Sequence, residues 1–114
     1  MRLPAMIAAA SIAIASPSFA QSSATVRADL DAGFASYAAG KYTDALAAFE
    51  AAAKRDNAVA QEILGMMYMQ GEKLYPDVQA DPEKAIAWLR RAAANGSEVA
   101  GHLVGALEQR LAQR

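Results

Sequence analysis

The chain is predicted to be all-α: a short alpha-alpha superhelix, or solenoid, of two antiparallel helix pairs closed by a C-terminal capping helix. Three observations lead there. The sequence repeats itself after forty residues, with Asn57-Ala58-Val59-Ala60 aligned on Ser97-Glu98-Val99-Ala100, Ile63-Leu64-Gly65 on Leu103-Val104-Gly105, and Ala45 on Ala85. Self-similarity at such a period marks stacked units, each of which buries its apolar face only against a neighbour. Apolar residues between the joints recur at three- and four-residue steps, the spacing of one helix face. Helix-starting residues precede these runs (Asn57, Asp81-Pro82, Ser97) and glycines follow them (Gly40, Gly71, Gly96).

Residues 1–20, MRLPAMIAAASIAIASPSFA, stand apart. A basic start at Arg2, an apolar run to Ala15, the breaker Pro17 and small residues at Ser18 and Ala20 read as a signal peptide cut between Ala20 and Gln21. The run is shorter than the roughly 20 residues a membrane span needs, so no stable membrane insertion is expected after cleavage. The implied location is periplasmic or secreted. Losing Arg2 takes the formal charge from -1 to -2, and this near-neutral balance offers nothing to nucleic acid. No cysteine is present, so an exported domain would be held by packing alone, without disulfides or a lipidated cysteine.

Residues 21–25 (QSSAT) are expected to be a disordered lead into the repeat domain, 26–114. Repeat 1 covers about 26–56. In its first helix, from Val26 to Ala39, the apolar positions Leu30, Phe34, Tyr37 and Ala38 recur at helical spacing; its second, from Tyr42, places Ala45, Leu46, Phe49, Ala52 and Ala53 on one face. Gly33 and Ala45 permit close approach of these helices, while Tyr42 and Phe49 fill the gap between pairs. Repeat 2 covers about 57–96. Asn57 caps a helix through Gln70, and Gly65 repeats the role of Gly33. After Gly71, residues 72–81 are expected to form a mobile loop that tolerates shortening. Asp81 caps the next helix with Pro82 in its first position and Glu83 at its positive end. Ala85, Trp88, Leu89, Ala92 and Ala93 form its inner face, with Trp88 the largest contributor to the core. In Asn95-Gly96-Ser97 a helix stop and a new cap explain what would otherwise read as a glycosylation sequon. The last helix, within 97–114, ends in the polar run Glu108-Gln109-Arg110 and is read as a cap with a solvated outer face.

The residues from Asp56 to Gly105 carry a more specific pattern. A Leu-Gly pair at 64–65, Tyr68 three residues on, Gly71 three after that, then Lys84-Ala85-x-x-Trp88 and Ala92-Ala93-x-x-Gly96 resemble the Sel-one-like repeat, a relative of the tetratricopeptide repeat. The first pair, with Gly33, Tyr37, Gly40, Tyr42, Ala45, Phe49 and Ala52, looks more like a plain tetratricopeptide repeat. By this resemblance the loop between Gly71 and Asp81 is about four residues longer than the family's.

No residue set specifies chemistry, and the chain is read as a non-enzyme without cofactor or metal. His102 is the only histidine and has no cysteine to join it in a metal site. Ser22, Ser23, Ser36 and Ser97 lack a nucleophile-elbow context, and the glycines mark repeat positions, not a phosphate loop. Met66-Met67-x-Met69 offers soft thioethers that could attract Cu(I), but Met67 sits at the repeat's apolar position, where methionine serves as an adaptable filler.

The resemblance implies a protein–protein interaction module whose first helices line a concave groove. Carried onto this chain, the groove residues are Arg27, Phe34 and Tyr37 around Gly33; Glu62, Met66, Met69 and Gln70 around Gly65; and His102, Gln109 and Arg110 around Gly105. Their spacing places each group on one helix face. The implied partner is another protein or a peptide segment. The alternative is a structural or regulatory subunit that self-associates or stacks on a larger envelope complex.

Overall fold

The computed structural model describes residues 17–114, with side chains from Ser23 onward; most of the expected signal peptide, residues 1–16, lies outside them. Five α-helices follow one another: α1 (Pro17–Ala38), α2 (Tyr42–Lys54), α3 (Ala58–Gln70), α4 (Pro82–Ala94) and α5 (Glu98–Ala112), with a single 3₁₀ turn at Gly71–Lys73. No strand occurs among the described residues. Each helix packs on the next, in the order α1 on α2, α2 on α3, α3 on α4 and α4 on α5, which is the stacking of a short helical-repeat solenoid.

The local signals set these boundaries. Asn57 Oδ1 accepts from Ala60 N at 2.9 Å, Asp81 Oδ1 from Lys84 N at 3.0 Å and Ser97 Oγ from Ala100 N at 3.0 Å; each cap satisfies an amide that the helix leaves unpaired. One boundary differs. The segment 21–25, expected as a disordered lead, lies within α1, and no glycine or proline interrupts the run from Ser18 to Val26.

The core is a spine of small and large residues in alternation: Ala45, Phe49, Ala52 and Ala53 from α2, Ala60, Leu64 and Met67 from α3, Ala85, Leu89 and Ala92 from α4, and Ala100 and Leu107 from α5. Glycines make the close approaches. A Cβ placed on Gly33 would lie 2.6 Å from Phe49 Cε1, and one on Gly65 would lie 2.6 Å from Leu89 Cγ, so α1 meets α2 and α3 meets α4 by the same device. At Gly105, the third member of the series, nothing lies within 4 Å. In α5, Glu108, Gln109 and Arg110 are exposed.

Two expectations about packing are corrected. Trp88 is only half-buried, its ring stacked under the Arg91 guanidinium at 4.9 Å; the fully buried large residue of α4 is its neighbour Leu89. Trp88 stands at the margin of the apolar stripe, where an amphipathic ring can face the core and water together. The segment 72–81 is not a loose loop. Tyr75 is 8% exposed and Val78 only 1%, both in the core, while Leu74 stays outside. Gly71 adopts φ +56°, and a Cβ there would be 2.5 Å from the Cβ of Ala80, so the segment closes tightly on its own base. Tyr75 N donates to Gly71 O at 2.8 Å, Val78 N to Tyr75 O at 3.0 Å and Asp81 N to Tyr68 O at 2.9 Å.

A polar cluster ties the two repeats at their turn edge. Asp56 holds φ +69° at the position forty residues before Gly96, where φ is +104°, so the same left-handed joint recurs with a different residue. Aspartate tolerates that region, and its carboxylate is well used. It accepts from Arg91 Nη2 at 3.1 Å, Asn95 Nδ2 at 3.2 Å and Gln61 Nε2 at 3.2 Å. Gln61, fully buried, also donates to Ala53 O at 3.0 Å and accepts from Asn95 Nδ2 at 2.9 Å. Hydrogen bonds from Arg91, then Asn95, then Gln61 hold the Asp56 carboxyl below its ordinary pKa of 3.8.

Candidate functional site

One apolar notch of about 220 Å³ opens where the first pair meets the second. Phe34 and Tyr37 of α1 form one wall, Ile63 and Met66 of α3 the opposite one, with Phe49 of α2 and Tyr75 of the 72–81 segment completing the lining. The helices explain the arrangement. Phe34 and Tyr37 are three residues apart on α1, as Ile63 and Met66 are on α3, so each pair shares a face. No charged residue lines the notch.

The aromatic side of the notch, with Tyr42 packed behind it, is built of rings set edge to face. Phe34 and Phe49 have centroids 5.1 Å apart at 74°, Tyr37 and Tyr42 5.5 Å at 80°, and Tyr42 and Tyr75 5.2 Å at 66°. Such pairs prefer this tilt because a positive ring edge meets a negative face. Tyr37 and Tyr75 share a hydrogen bond between their hydroxyls, 3.0 Å apart. Burial, helped by that bond, pushes the Tyr75 pKa up to about 12, so this phenol stays protonated near neutral pH. Phe34 is nonetheless 47% exposed and Tyr37 36%. Large rings left this open are not ordinary core filler.

Of the ten residues expected to line a groove, the notch brings together Phe34, Tyr37 and Met66. Glu62 and Gln70 lie one turn either side of Met66 and are half-buried, and Glu62 Oε2 accepts from Ser97 Oγ. Met69 packs against the core. Arg27, His102, Gln109 and Arg110 are exposed and take no part in the lining. Sequence reasoning missed Ile63 and Tyr75 as lining residues. The available signal for Tyr75 was an aromatic residue within a segment otherwise read as loop, too weak to say which helix it would meet. A second, more open trough on α2 is lined by Ala47, Glu50, Ala51, Lys54 and Arg55, with the exposed Glu50–Lys54 ion pair across it at 3.6 Å; it has no aromatic wall.

Among the described residues no group of three histidine, aspartate or glutamate side chains stands close enough to hold a metal ion. Nor is any helix there long and apolar enough to cross a membrane.

The segment whose first helix supplies Ile63 and Met66 is also the one that can be assigned. The family model of the Sel1 repeat matches residues 58–97, from the start of α3 to the cap of α5. Residues 58–97 are a Sel1 repeat. This agrees with the forty-residue period and with the Leu-Gly, Tyr68, Gly71 and Lys-Ala-x-x-Trp pattern. Sel1 repeats generally serve as protein–protein interaction modules and are generally non-enzymatic. Neither curated proteins nor solved structures give a match to the chain. The notch therefore lies between a Sel1 repeat, its 72–81 segment included, and the helix pair that precedes it.

Proposed function

We propose that the chain is an exported, non-enzymatic adaptor that holds a segment of a partner protein in the notch between α1 and α3. The observation that carries this reading is the exposure of Phe34 and Tyr37 over an uncharged, ring-lined depression beside the Sel1 repeat. Buried aromatic anchors dominate the energetics of protein interfaces, and they work in pockets that exclude water. Glu62 and Gln70, one turn either side of Met66, would then act as rim contacts, while Arg27, His102, Gln109 and Arg110 of the expected set would meet only a partner that extends beyond the notch. The test is capture from a periplasmic extract by the immobilised protein and by a Phe34→Ser/Met66→Gln variant, with circular dichroism confirming that both are folded. Proteins captured by the first and lost by the second support the notch. Equal capture would move the site elsewhere.

One observation favours the second reading, self-association. Gly105 is uncovered where Gly33 and Gly65 each carry a helix, which leaves the α5 end open to a second copy of the chain. Sedimentation over a range of concentrations decides: a monomer throughout removes it.

A further inference from the structure

We propose that the notch takes one aromatic side chain of an extended peptide segment, and that the Tyr37 hydroxyl donates a hydrogen bond to the backbone carbonyl beside that side chain. This rests on the reading that the notch is the contact site, and it specifies the chemistry recognised there. Size comes first. At about 220 Å³ the notch falls below the roughly 300–1,000 Å³ of sites for cofactor-sized molecules, but it suits a single large side chain. Lining comes second. Phe34, Tyr37, Phe49 and Tyr75 present ring edges and faces, to which another ring adds the geometry already used by the Phe34–Phe49 pair. No carboxylate lines the notch, and Ile63 and Met66 complete its lining with aliphatic and thioether groups that offer a cation no ring face.

The hydroxyl pair supplies direction. Two phenols joined by one hydrogen bond use one proton between them and keep the other. Either hydroxyl can donate in that bond; with the buried Tyr75 as donor to Tyr37 Oη, the proton of the more open Tyr37 is left for a ligand. The group it meets must be an acceptor. In an extended segment the backbone carbonyls are free to accept, whereas within a helix they are already bonded along the chain. An extended strand with one ring inserted satisfies both features together.

The probes are N-acetyl-phenylalanine methylamide, its leucine counterpart and benzyltrimethylammonium, each titrated into the full-length protein while amide chemical shifts are followed by NMR. Shifts clustered at Phe34, Tyr37, Met66 and Tyr75 are expected. The phenylalanine probe should bind roughly 2- to 10-fold more tightly than the leucine probe, the size of an aromatic pair's advantage. Tyr37→Phe should weaken it about 5-fold, the loss of one net hydrogen bond, and Tyr75→Phe, which keeps the outward proton, should not. Equal or tighter binding of leucine overturns the aromatic preference, and tighter binding of the ammonium probe replaces it with a cation cage. An unchanged affinity in Tyr37→Phe overturns the hydrogen bond. If no probe shifts the notch residues the whole inference fails, while partner capture that still depends on Phe34 and Met66 would leave the adaptor reading standing.

Discussion

Placing alanine in turn at Gly33, Gly65 and Gly105 tests the repeat architecture in a single series, because the three positions are equivalent in sequence and unequal in surroundings. At Gly65 the new methyl would meet Leu89 Cγ at 2.6 Å and Cδ2 at 2.7 Å, with the carbonyl oxygen of Ala85 at 3.3 Å. Leu89 is fully buried and Cγ lies near the root of its side chain, so it has little room to yield. Overpacking of this kind costs about 1–3 kcal/mol, of which the better helix propensity of alanine returns about 0.5–1 kcal/mol. At Gly33 the clash is with the edge of the Phe49 ring, 2.6–2.9 Å away, and that ring borders the notch. It can tilt into the open space, so Gly33→Ala should cost less than Gly65→Ala and should narrow the notch. At Gly105 nothing is met, and the substitution should stabilise by about 0.5–1 kcal/mol through propensity alone. With 4–8 °C of melting shift per kcal/mol in a domain of this size, Gly65→Ala and Gly105→Ala should melt roughly 10 °C apart on opposite sides of the parent protein. Thermal melts by circular dichroism measure this. A Gly65→Ala protein melting at or above the parent would refute the close approach of α3 and α4, and with it the equivalence of the two pairs.

Leu89→Ala should lose about 2–5 kcal/mol, as buried leucines do, while Trp88→Ala, at a half-buried position, should lose less; the reverse order in urea melts would reinstate Trp88 as the centre of the core. Removing four residues between Glu72 and Ala80 should unfold the protein, and Val78→Ala should cost about 2 kcal/mol because the side chain is buried; a normally folded deletion would return the segment to an expendable loop. Asp56 titrates below its ordinary pKa in the folded chain, so its contribution is present above pH 3.8 and disappears as pH falls through the folded value. Asp56→Asn should therefore be less stable than the parent at pH 7, and the difference should close in acid; a gap unchanged at pH 3 would remove the carboxylate's charge as its source. Amino-terminal sequencing of the protein recovered from a Gram-negative periplasm should begin at Gln21, and a chain beginning at Met1 would rule out the signal peptide.

The helices and their order were legible because they depend on neighbours in sequence. Asn57, Asp81-Pro82 and Ser97 cap within three residues, Gly71 and Gly96 turn the chain where they stand, and the apolar steps of α2 and α4 declare an inner face. The repeat itself was legible for the same reason, since a forty-residue period is a property of the string. Periodicity defines a stripe but not its margins, which is why Trp88 was assigned to the centre when Leu89 occupies it. The 72–81 segment has no period to read. Tyr75 is buried because Tyr37, thirty-eight residues earlier, offers it a hydroxyl and a ring, a pairing no local pattern encodes. Likewise, the sequence alone placed Phe34, Tyr37 and Met66 on the helix faces around the repeat glycines. Only the stacking of α1 on α2, and of α2 on α3, brought those faces to opposite sides of a notch, because the distance between two helices is set by the side chains packed between them.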